Sequence, residues 1–394
     1  MASNSSFLIL NSGSSSVKFA VFSAGRGLAR LLSGSLDRIG LSGGRLLVRD
    51  TIGEVVVDET RVASDHDAAL GILLPTIERH LSNHRIISAG HRVVHGGLQH
   101  VDHQRITPEM VTGLRGMAHL APLHLPGNVS GIEALSRTLP DIPQFACFDT
   151  AFHRTLPRVA QMTGLPRDIE SAGLRRFGFH GLSYEFIVDH LAASGVNVAA
   201  ERMIIAHLGN GASMCAVKGG ASVETTMGFS TLSGLLMGAR PGDVDPGLIL
   251  HLIQQKRQSP EEITSMLYER SGLRGVSGLT SDMRELLSRA QEPRVAEALE
   301  LFCYRARYHL GGLAAVLGGL DRLVFTGGIG ANSEVIRANI CAGLAHLGVD
   351  LDPVANTDVE GVISSEGSVI VMAMRSDEEL VAARHVARLL GSRS

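Results

Sequence analysis

The chain contains no tryptophan, few aromatic residues (4%) and only four cysteines among 394 residues. Cys147, Cys215, Cys303 and Cys341 lack the paired spacing of a metal site, and each lies among apolar residues. A disulfide framework or a zinc site is therefore not indicated. We expect four reduced thiols in the protein interior, which is typical of a cytoplasmic protein.

Long apolar runs and an excess of one charge are also missing. The apolar stretch 308–320 is too short to cross a bilayer and contains His309. The first six residues offer neither the basic nor the apolar part of a secretion signal. The formal net charge is −3 with both signs interspersed, so no basic surface marks a nucleic-acid partner. We expect a cytoplasmic protein with neither a membrane nor a nucleic acid as its partner.

The composition favours a two-domain α/β enzyme. A chain of this length exceeds what one hydrophobic core usually fills, and 44% hydrophobic residues can supply two cores. The 45 glycines suit the many tight loops of such a fold.

Residues 11–18 (NSGSSSVK) are the most informative segment, because they join two apolar runs through a turn of small residues. This pattern predicts a β-hairpin. Gly13 allows a ligand to approach the backbone closely, and the N–H groups of such a turn can bind an anion. Lys18 adds a point charge of the kind that binds phosphates. A solvent-exposed, serine-rich loop without a ligand is the alternative.

A second strand–turn–strand pattern occupies residues 203–217. Aligning Gly13 with Gly211 also aligns Leu10 with Leu208. A self-similarity spaced by half the chain predicts two related domains, each with an anion-binding hairpin. Chance similarity between two hairpins is the alternative.

Two further local patterns bear on the site. Thr107 followed by Pro108 predicts the start of a helix, whereas the two prolines in 121–126 exclude regular structure there. Residues 142–148 read as a buried strand that delivers Asp149 at its carboxyl end, where α/β sheets bind ligands.

The last helix is predicted over 380–390. Ser376 and Glu379 have the spacing of a capping box at its start. Glu378 takes no part in that cap and can point elsewhere.

Four cationic or titratable residues lie in glycine-rich loops where packing does not require them: Arg92, His124, His180 and Arg240. The planar fork of arginine suits carboxylates and phosphates, and a histidine can donate to a phosphoryl group. Each residue taken alone could be structural or solvated.

Asp149 and Glu378 are candidate ligands of Mg²⁺, which usually takes one or two carboxylates and keeps several waters. Glu378 could instead simply face a helix dipole. The hairpins, the cations and the acids together favour phosphoryl transfer, which depends on positioning and on cations. The zincin motif His-Glu-x-x-His is absent from the sequence.

The chain resembles the acetate kinases in seven segments that follow the family's order and span nearly the whole sequence. They are 11–18, 90–97 (GHRVVHGG), 148–153 (FDTAFH), 177–181 (FGFHG), 207–211 (HLGNG), 238–246 (GARPGDVDP) and 326–332 (TGGIGAN). The resemblance implies an α/β fold of two duplicated actin-like ATPase (ribonuclease H-like) domains with an ATP cleft between them. It also implies reversible, Mg²⁺-dependent transfer of the γ-phosphoryl group of ATP to acetate, with Mn²⁺ as an alternative ion and a homodimer as the assembly.

The resemblance also implies roles for individual residues. Asp149, His180, Arg240 and Arg92 would be catalytic, and Asn11, Glu378 and Asp149 would serve the metal. Acetate would be bound by Arg92, Val94, Leu123, His124, Phe179 and Thr231. The nucleotide, ATP or ADP, would be bound by Lys18, Ser14, Ser16, His207, Leu208, Gly209, Asn210, Gly211, Asp282, Met283, Arg284, Gly328, Ile329, Gly330, Ala331 and Asn332. The domains are expected at 1–150 with 380–394, and at 151–379.

Two positions depart from the family pattern. Thr231 stands where a proline is usual, and Ala331 replaces a glutamate beside the nucleotide. The first departure leaves acetate, propionate and butyrate open as acceptors, because one methylene discriminates by only about 1–3 kcal/mol. An ATPase or filament protein of the same fold is the other alternative, but such a protein binds no acid acceptor and would not require Arg92.

A carboxylic acid with a pKa near 4 to 5 is already ionised at pH 7, so the acceptor has no proton to lose. We therefore expect Asp149 to act through magnesium and positioning, and not as a general base.

Overall fold

The computed structural model describes residues 4–25, 27–367 and 369–391. Residues 1–3 and 392–394, which the predicted first domain includes, lie outside the described residues. The chain forms two compact units, Met1–Ala151 with Asp377–Ser394, and Phe152–Ser376. Glu378 was expected in the second domain but belongs to the first unit, because the last helix begins with it.

The first unit is an α/β unit whose described residues form one sheet of eight strands, in the order β5-β4-β3-β2-β1-β6-β8-β7. The strands are β1 (Ser5–Ser12), β2 (Ser16–Ser23), β3 (Arg30–Asp37), β4 (Arg45–Arg49), β5 (Val55–Thr60), β6 (Arg85–Val93), β7 (Gln104–Arg105) and β8 (Gln144–Phe148). The helices are α1 (His66–His80), α2 (Pro108–Gly116), α3 (Leu125–Thr138) and, from the end of the chain, α14 (Glu378–Gly391).

The second unit has a described sheet of six strands, in the order β11-β10-β9-β12-β14-β13. The strands are β9 (Arg202–Leu208), β10 (Ala212–Lys218), β11 (Ala221–Thr225), β12 (Arg322–Thr326), β13 (Gly361–Val362) and β14 (Ile370–Ala373). The helices are α4 (Arg158–Gln161), α5 (Arg167–Ser171), α6 (Gly181–Ala193), α7 (Pro246–Gln254), α8 (Pro260–Glu269), α9 (Gly272–Ser277), α10 (Met283–Ser288), α11 (Pro293–Leu317), α12 (Gly327–Gly330) and α13 (Glu334–Cys341). Short 3₁₀ turns occur at Ala118–Leu120, Ala151–Thr155, Ala345–Leu347 and Ala355–Thr357.

The two sheets share one arrangement of five strands. The order β3-β2-β1-β6-β8 matches β11-β10-β9-β12-β14, and in both the first two pairings are antiparallel and the next two parallel. The predicted duplication and the α/β class are therefore confirmed.

The residue-by-residue alignment of the two hairpins is wrong by two positions. Leu10 lies opposite Phe19, whereas Leu208 lies opposite Ala212, right beside the turn. Strand β1 continues two residues further, to Ser12, before it turns. The equivalent residues are therefore Ser12 and Leu208.

Apolar strand faces explain the core of the first unit. Leu8, Leu10, Val17 and Phe19 are at most 2% exposed and belong to one cluster with residues of α1 such as Leu70. All four cysteines are buried, as predicted, and form no disulfide, and burial raises the pKa of Cys215, Cys303 and Cys341 to about 12, 11 and 12. None of the helices in the described part of the chain combines the length and apolar composition that a bilayer crossing requires.

Candidate active site

In the first unit, four predicted site residues form a row on one face of the sheet. Asn11 lies directly opposite Lys18 in the β1–β2 ladder. The β1–β6 register brings Asn11 next to Arg92, and Arg92 lies opposite Cys147. Since side chains alternate along a strand, Asp149, two residues after Cys147, shares that face. Strand register therefore brings Asn11, Arg92 and Asp149 to the carboxyl ends of the parallel strands β1, β6 and β8, with Lys18 beside Asn11 near the start of antiparallel β2.

Two carboxylates hold the guanidinium of Arg92. Its Nε donates to Asp149 Oδ1 at 2.9 Å, and its Nη2 donates to Oδ2 at 2.7 Å. Its Nη1 lies 3.0 Å from Glu378 Oε2. Burial by itself disfavours the charged guanidinium. The attraction of Asp149 and Glu378 is larger than this effect, so the pKa of Arg92 is raised. These contacts use three of its five N–H donors, and the remaining one on each terminal nitrogen can donate to a further acceptor.

The start of α14 explains why Glu378 reaches Arg92. Asp377 Oδ1 accepts a hydrogen bond from the N–H of Leu380 at 2.9 Å, so Asp377 caps the helix. The predicted capping box of Ser376 and Glu379 is therefore wrong by one residue. Glu379 instead lies 3.7 Å from a guanidinium nitrogen of Arg30, and burial raises its pKa.

The tip of the first hairpin is fixed through its carbonyl groups. The N–H of Gly13 donates to Ser16 O at 2.8 Å, and His66 Nε2 lies 2.9 Å from Gly13 O. Among the described residues, the backbone N–H groups of Ser14 and Ser15 donate to no protein acceptor. Two unpaired N–H groups at a rigid turn are suited to an anion, as the sequence predicts.

Helix α3 supports this hairpin through residues that the sequence did not single out. Buried Asn128 donates to Ser12 O at 2.7 Å and accepts from the N–H of Val94 at 3.0 Å. A Cβ on Gly127 would lie only 2.5 Å from the carbonyl carbon of Gly13. Because 116 positions separate Asn128 from its strand partner, no local pattern could have revealed the contact.

In the second unit, His180 is surrounded by hydroxyl groups and a second imidazole. Its Nδ1 lies 2.7 Å from Ser213 Oγ, which also contacts the hydroxyl of Tyr184. Its ring stacks on His207 with centroids 4.4 Å apart, and His207 Nδ1 lies 2.8 Å from Ser183 Oγ. When Tyr184 donates to Ser213 and Ser213 donates to His180, the remaining nitrogen, Nε2, carries a proton that it can donate.

Arg240 faces the same turn as His180. A Cβ on Gly211 would lie 2.7 Å from Arg240 Nη2 and 3.4 Å from His180 Nε2, so both groups converge on this glycine. Nη1 of Arg240 donates to Thr231 O at 2.8 Å. Burial lowers the pKa of Arg240 to about 10, with Tyr268 opposing the shift, so the guanidinium stays charged at pH 7.

Two of the predicted nucleotide segments, 207–211 and 328–332, lie at strand ends of the second sheet. Thr326 lies opposite His207 in the parallel β9–β12 pair, so the turns 209–211 and 327–332 leave the same edge of the sheet. Asn332 Nδ2 donates to Gly328 O at 3.0 Å. Asp282 caps α10 and accepts from the N–H of Arg284 at 2.8 Å, which lowers its pKa. The binding roles of all the predicted nucleotide residues, Ile329, Gly330, Ala331 and Met283 included, stay predictions.

The predicted acetate pocket draws on both units and stays a prediction. Val94, Leu123 and His124 belong to the first unit, and Phe179 and Thr231 to the second. Phe179 and Thr231 are buried, at 1% and 5% exposure.

Thr107 caps α2 as predicted, but the predicted irregular segment 121–126 is partly wrong, because α3 already begins at Leu125. A proline in the first helical turn loses no hydrogen bond.

Comparison with known proteins gives one consistent result. The model of the acetokinase family matches residues 6–384. An acetate kinase of Rhodopseudomonas palustris is 46% identical over 97% of this chain and 98% of its own length. The crystal structure of Porphyromonas gingivalis acetate kinase superposes with a TM-score of 0.88 at 34% identity, covering 98% of this chain and all of the other. The crystal structure of a propionate kinase from Francisella tularensis superposes with a TM-score of 0.91 at 33% identity, also covering 98% of this chain and all of the other.

Proposed function

Because this chain belongs to the acetokinase family, we propose that it is an acetate kinase, which transfers the γ-phosphoryl group of ATP to acetate to give acetyl phosphate and ADP. It is a phosphotransferase with a carboxyl group as acceptor and with ATP and ADP as nucleotide substrates. A cytoplasmic location is part of the proposal.

The carboxylate-held guanidinium of Arg92 is the observation that carries the acceptor assignment. Asp149 and Glu378 fix it in one orientation, and its two remaining N–H donors suit the carboxylate of acetate. Because the acceptor is ionised at neutral pH, no group has to remove its proton. In this proposal Asp149 orients Arg92 and is not a general base.

The second unit supplies the groups for the phosphoryl oxygens. His180 Nε2 and Arg240 Nη2 both face Gly211, where a nucleotide phosphate can approach the backbone without a side chain in the way. Negative charge spreads over the phosphoryl oxygens in the transition state, so a fixed N–H donor and a cation stabilise it. Ser213 keeps the imidazole in the required orientation.

The residues of the first unit fit a magnesium ion. Asp149, Glu378 and Asn11 offer the carboxylate and amide oxygens that Mg²⁺ prefers, and Mn²⁺ accepts the same donors. Each carboxylate has about four lone-pair positions, and the contacts to Arg92 leave some of them available. When bound, the ion would neutralise phosphate charge. If Asp149→Asn kept its magnesium affinity but lost turnover with a shifted pH profile, a general-base role for Asp149 would be preferred instead.

We also propose a homodimer through the second unit. In the described structure α7 has no buried residue, and Leu248, Leu250 and Ile253 on it are 41–53% exposed. Tyr304 and Tyr308, one turn apart on α11, are 59% and 65% exposed. Apolar surface of this kind suits a second copy of the same chain.

Light scattering tests the dimer. Leu250→Glu is expected to reduce the particle mass from two chains to one, because a charge cannot be buried unpaired at an apolar contact. Leu41→Glu is the matched control, since Leu41 is 55% exposed in the first unit. A single-chain mass for the unaltered protein would refute the dimer.

An acid series tests the activity. Acyl phosphate trapped by hydroxylamine is measured with acetate, propionate and butyrate, and the highest kcat/KM is expected for acetate. The similarity to a propionate kinase makes propionate the alternative. Arg92→Lys should raise the KM for acetate at least about tenfold more than that for ATP, because an ammonium cannot replace the guanidinium fork. ATP hydrolysis that no acid stimulates would refute the proposal.

A further inference from the structure

Arg337, on α13, is a buried cation that donates hydrogen bonds to neutral oxygens. Its side chain is among the largest fully buried ones, at 1% exposure. Nη1 donates to Gly330 O at 3.0 Å and to Ala331 O at 2.8 Å. Nε donates to Asn356 Oδ1 at 2.9 Å, and Nη2 donates to Asn356 O and, at 3.0 Å, to Asp358 O.

This arrangement joins two separate segments through one rigid group. Burying a guanidinium is costly unless all its donors are satisfied, so the five hydrogen bonds are needed together. The planar fork fixes the direction of each bond. The carbonyl groups of Gly330 and Ala331 are therefore held in one orientation relative to residues 356–358.

The first of these segments belongs to the turn 327–332, which follows β12 and leaves the same sheet edge as residues 209–211. The proposed function assigns this turn to the nucleoside of ATP. We propose that Arg337 is a positioning residue for nucleotide binding: by fixing the carbonyls of Gly330 and Ala331, it presets the backbone against which the adenine nucleoside lies. This inference rests on the proposed function.

Arg337→Lys tests the inference, because it keeps the charge and removes the fork. The Kd for ADP, measured by calorimetry without any acid, and the KM for ATP are expected to rise at least about tenfold, as several hydrogen bonds are lost. The KM for acetate should stay within about twofold, since none of the lost bonds involves the first unit. A purely structural role would change both KM values alike.

Arg322→Lys is the matched control. Arg322 is also buried, at 5% exposure, but it lies at the opposite end of β12 and donates to Glu201 at 2.7 and 2.9 Å. Its variant should lose thermal stability while its Kd for ADP stays within about twofold of the unaltered protein. Equal weakening of ADP binding in both variants would overturn the inference.

Asn356→Leu decides the question if Arg337→Lys does not fold. It removes the Oδ1 acceptor and the donor to Glu334 O, and it leaves the guanidinium in place. It should weaken ADP binding about three- to tenfold, as the loss of one buried acceptor predicts. An unchanged Kd would overturn the inference. An unaltered protein that binds ADP but forms no acyl phosphate would refute the proposed function and leave this test intact.

Discussion

Replacing Gly127 with alanine should displace the tip of the first hairpin, which the proposed function assigns to the nucleotide phosphates. A Cβ at this position would lie 2.5 Å from the carbonyl carbon of Gly13 and 3.0 Å from the backbone nitrogen of Ser14. Ordinary contacts between carbon atoms are about 3.5–4.0 Å, so the hairpin tip has to move by about 1 Å. The obstacle is backbone, which cannot rotate away as a flexible side chain would.

Two opposing terms set the effect of Gly127→Ala on stability. Alanine inside a helix gains about 1 kcal/mol over glycine, whereas overpacking costs about 1–3 kcal/mol. The net loss of about 0–2 kcal/mol corresponds to a fall in Tm of at most about 8 °C. Activity should suffer more, because a displacement of about 1 Å in a catalytic site can cost about a hundredfold in rate.

The assay is acyl phosphate formation with ATP and acetate varied separately, together with thermal unfolding. We expect a lower kcat and a higher KM for ATP. Gly71→Ala, in α1, is the control, because nothing lies within 4 Å of its added Cβ. The control should keep wild-type kinetics and gain about 0.5–1 kcal/mol. Wild-type kinetics for Gly127→Ala would refute the reasoning.

Three further changes have defined outcomes. Asn128→Leu removes the bridge between the ends of β1 and β6, and it should lower the free energy of unfolding by about 1–3 kcal/mol; an unchanged Tm would contradict this. Ser213→Ala removes the partner of His180 Nδ1, and kcat should fall about tenfold with KM values within about threefold; equal rises in both KM values would speak against an orienting role. Burial lowers the pKa of His91 from 6.5 to about 4. Between these two pH values the imidazole is protonated in the unfolded chain and neutral in the folded one. This group costs the folded state nothing above pH 6.5, and the free energy of unfolding falls as the pH drops from 6.5 towards 4. The loss is about 2 kcal/mol at pH 5. His91→Gln, which keeps a polar partner for Gln144, should reduce the loss of Tm between pH 7 and pH 5, and an unchanged loss would contradict the assignment.

Local features of the site could be predicted from the sequence. The apolar runs around residues 11–18 set the hairpin, and the buried strand before Asp149 delivers its carboxylate to a sheet edge. These features depend on neighbours in the chain, which propensity and alternation describe well.

Contacts between distant segments could not be predicted. Asn128 supports a carbonyl of β1, and Arg337 joins residues 330–331 to residues 356–358, only because the fold brings these segments together. The hairpin alignment failed for a related reason, since the length of β1 depends on its pairing with β2 and not on its glycines. At the start of α14, Ser376 and Asp377 are both good caps, and only the structure shows which one is used.

The position of α14 has a consequence for how the protein is made. This helix follows the second unit in the chain but packs on the first unit, where Cys147 Sγ lies 3.9 Å from Ala382 O and Glu378 reaches Arg92. The ribosome must synthesise residues 152–376 before α14 emerges, which takes roughly 10–45 s at about 5–20 residues per second. During that interval one apolar face of the nascent first unit lacks its cover, and Arg92 lacks one of its two counter-charges. The first unit can therefore be completed only after the residues of the second unit have been synthesised.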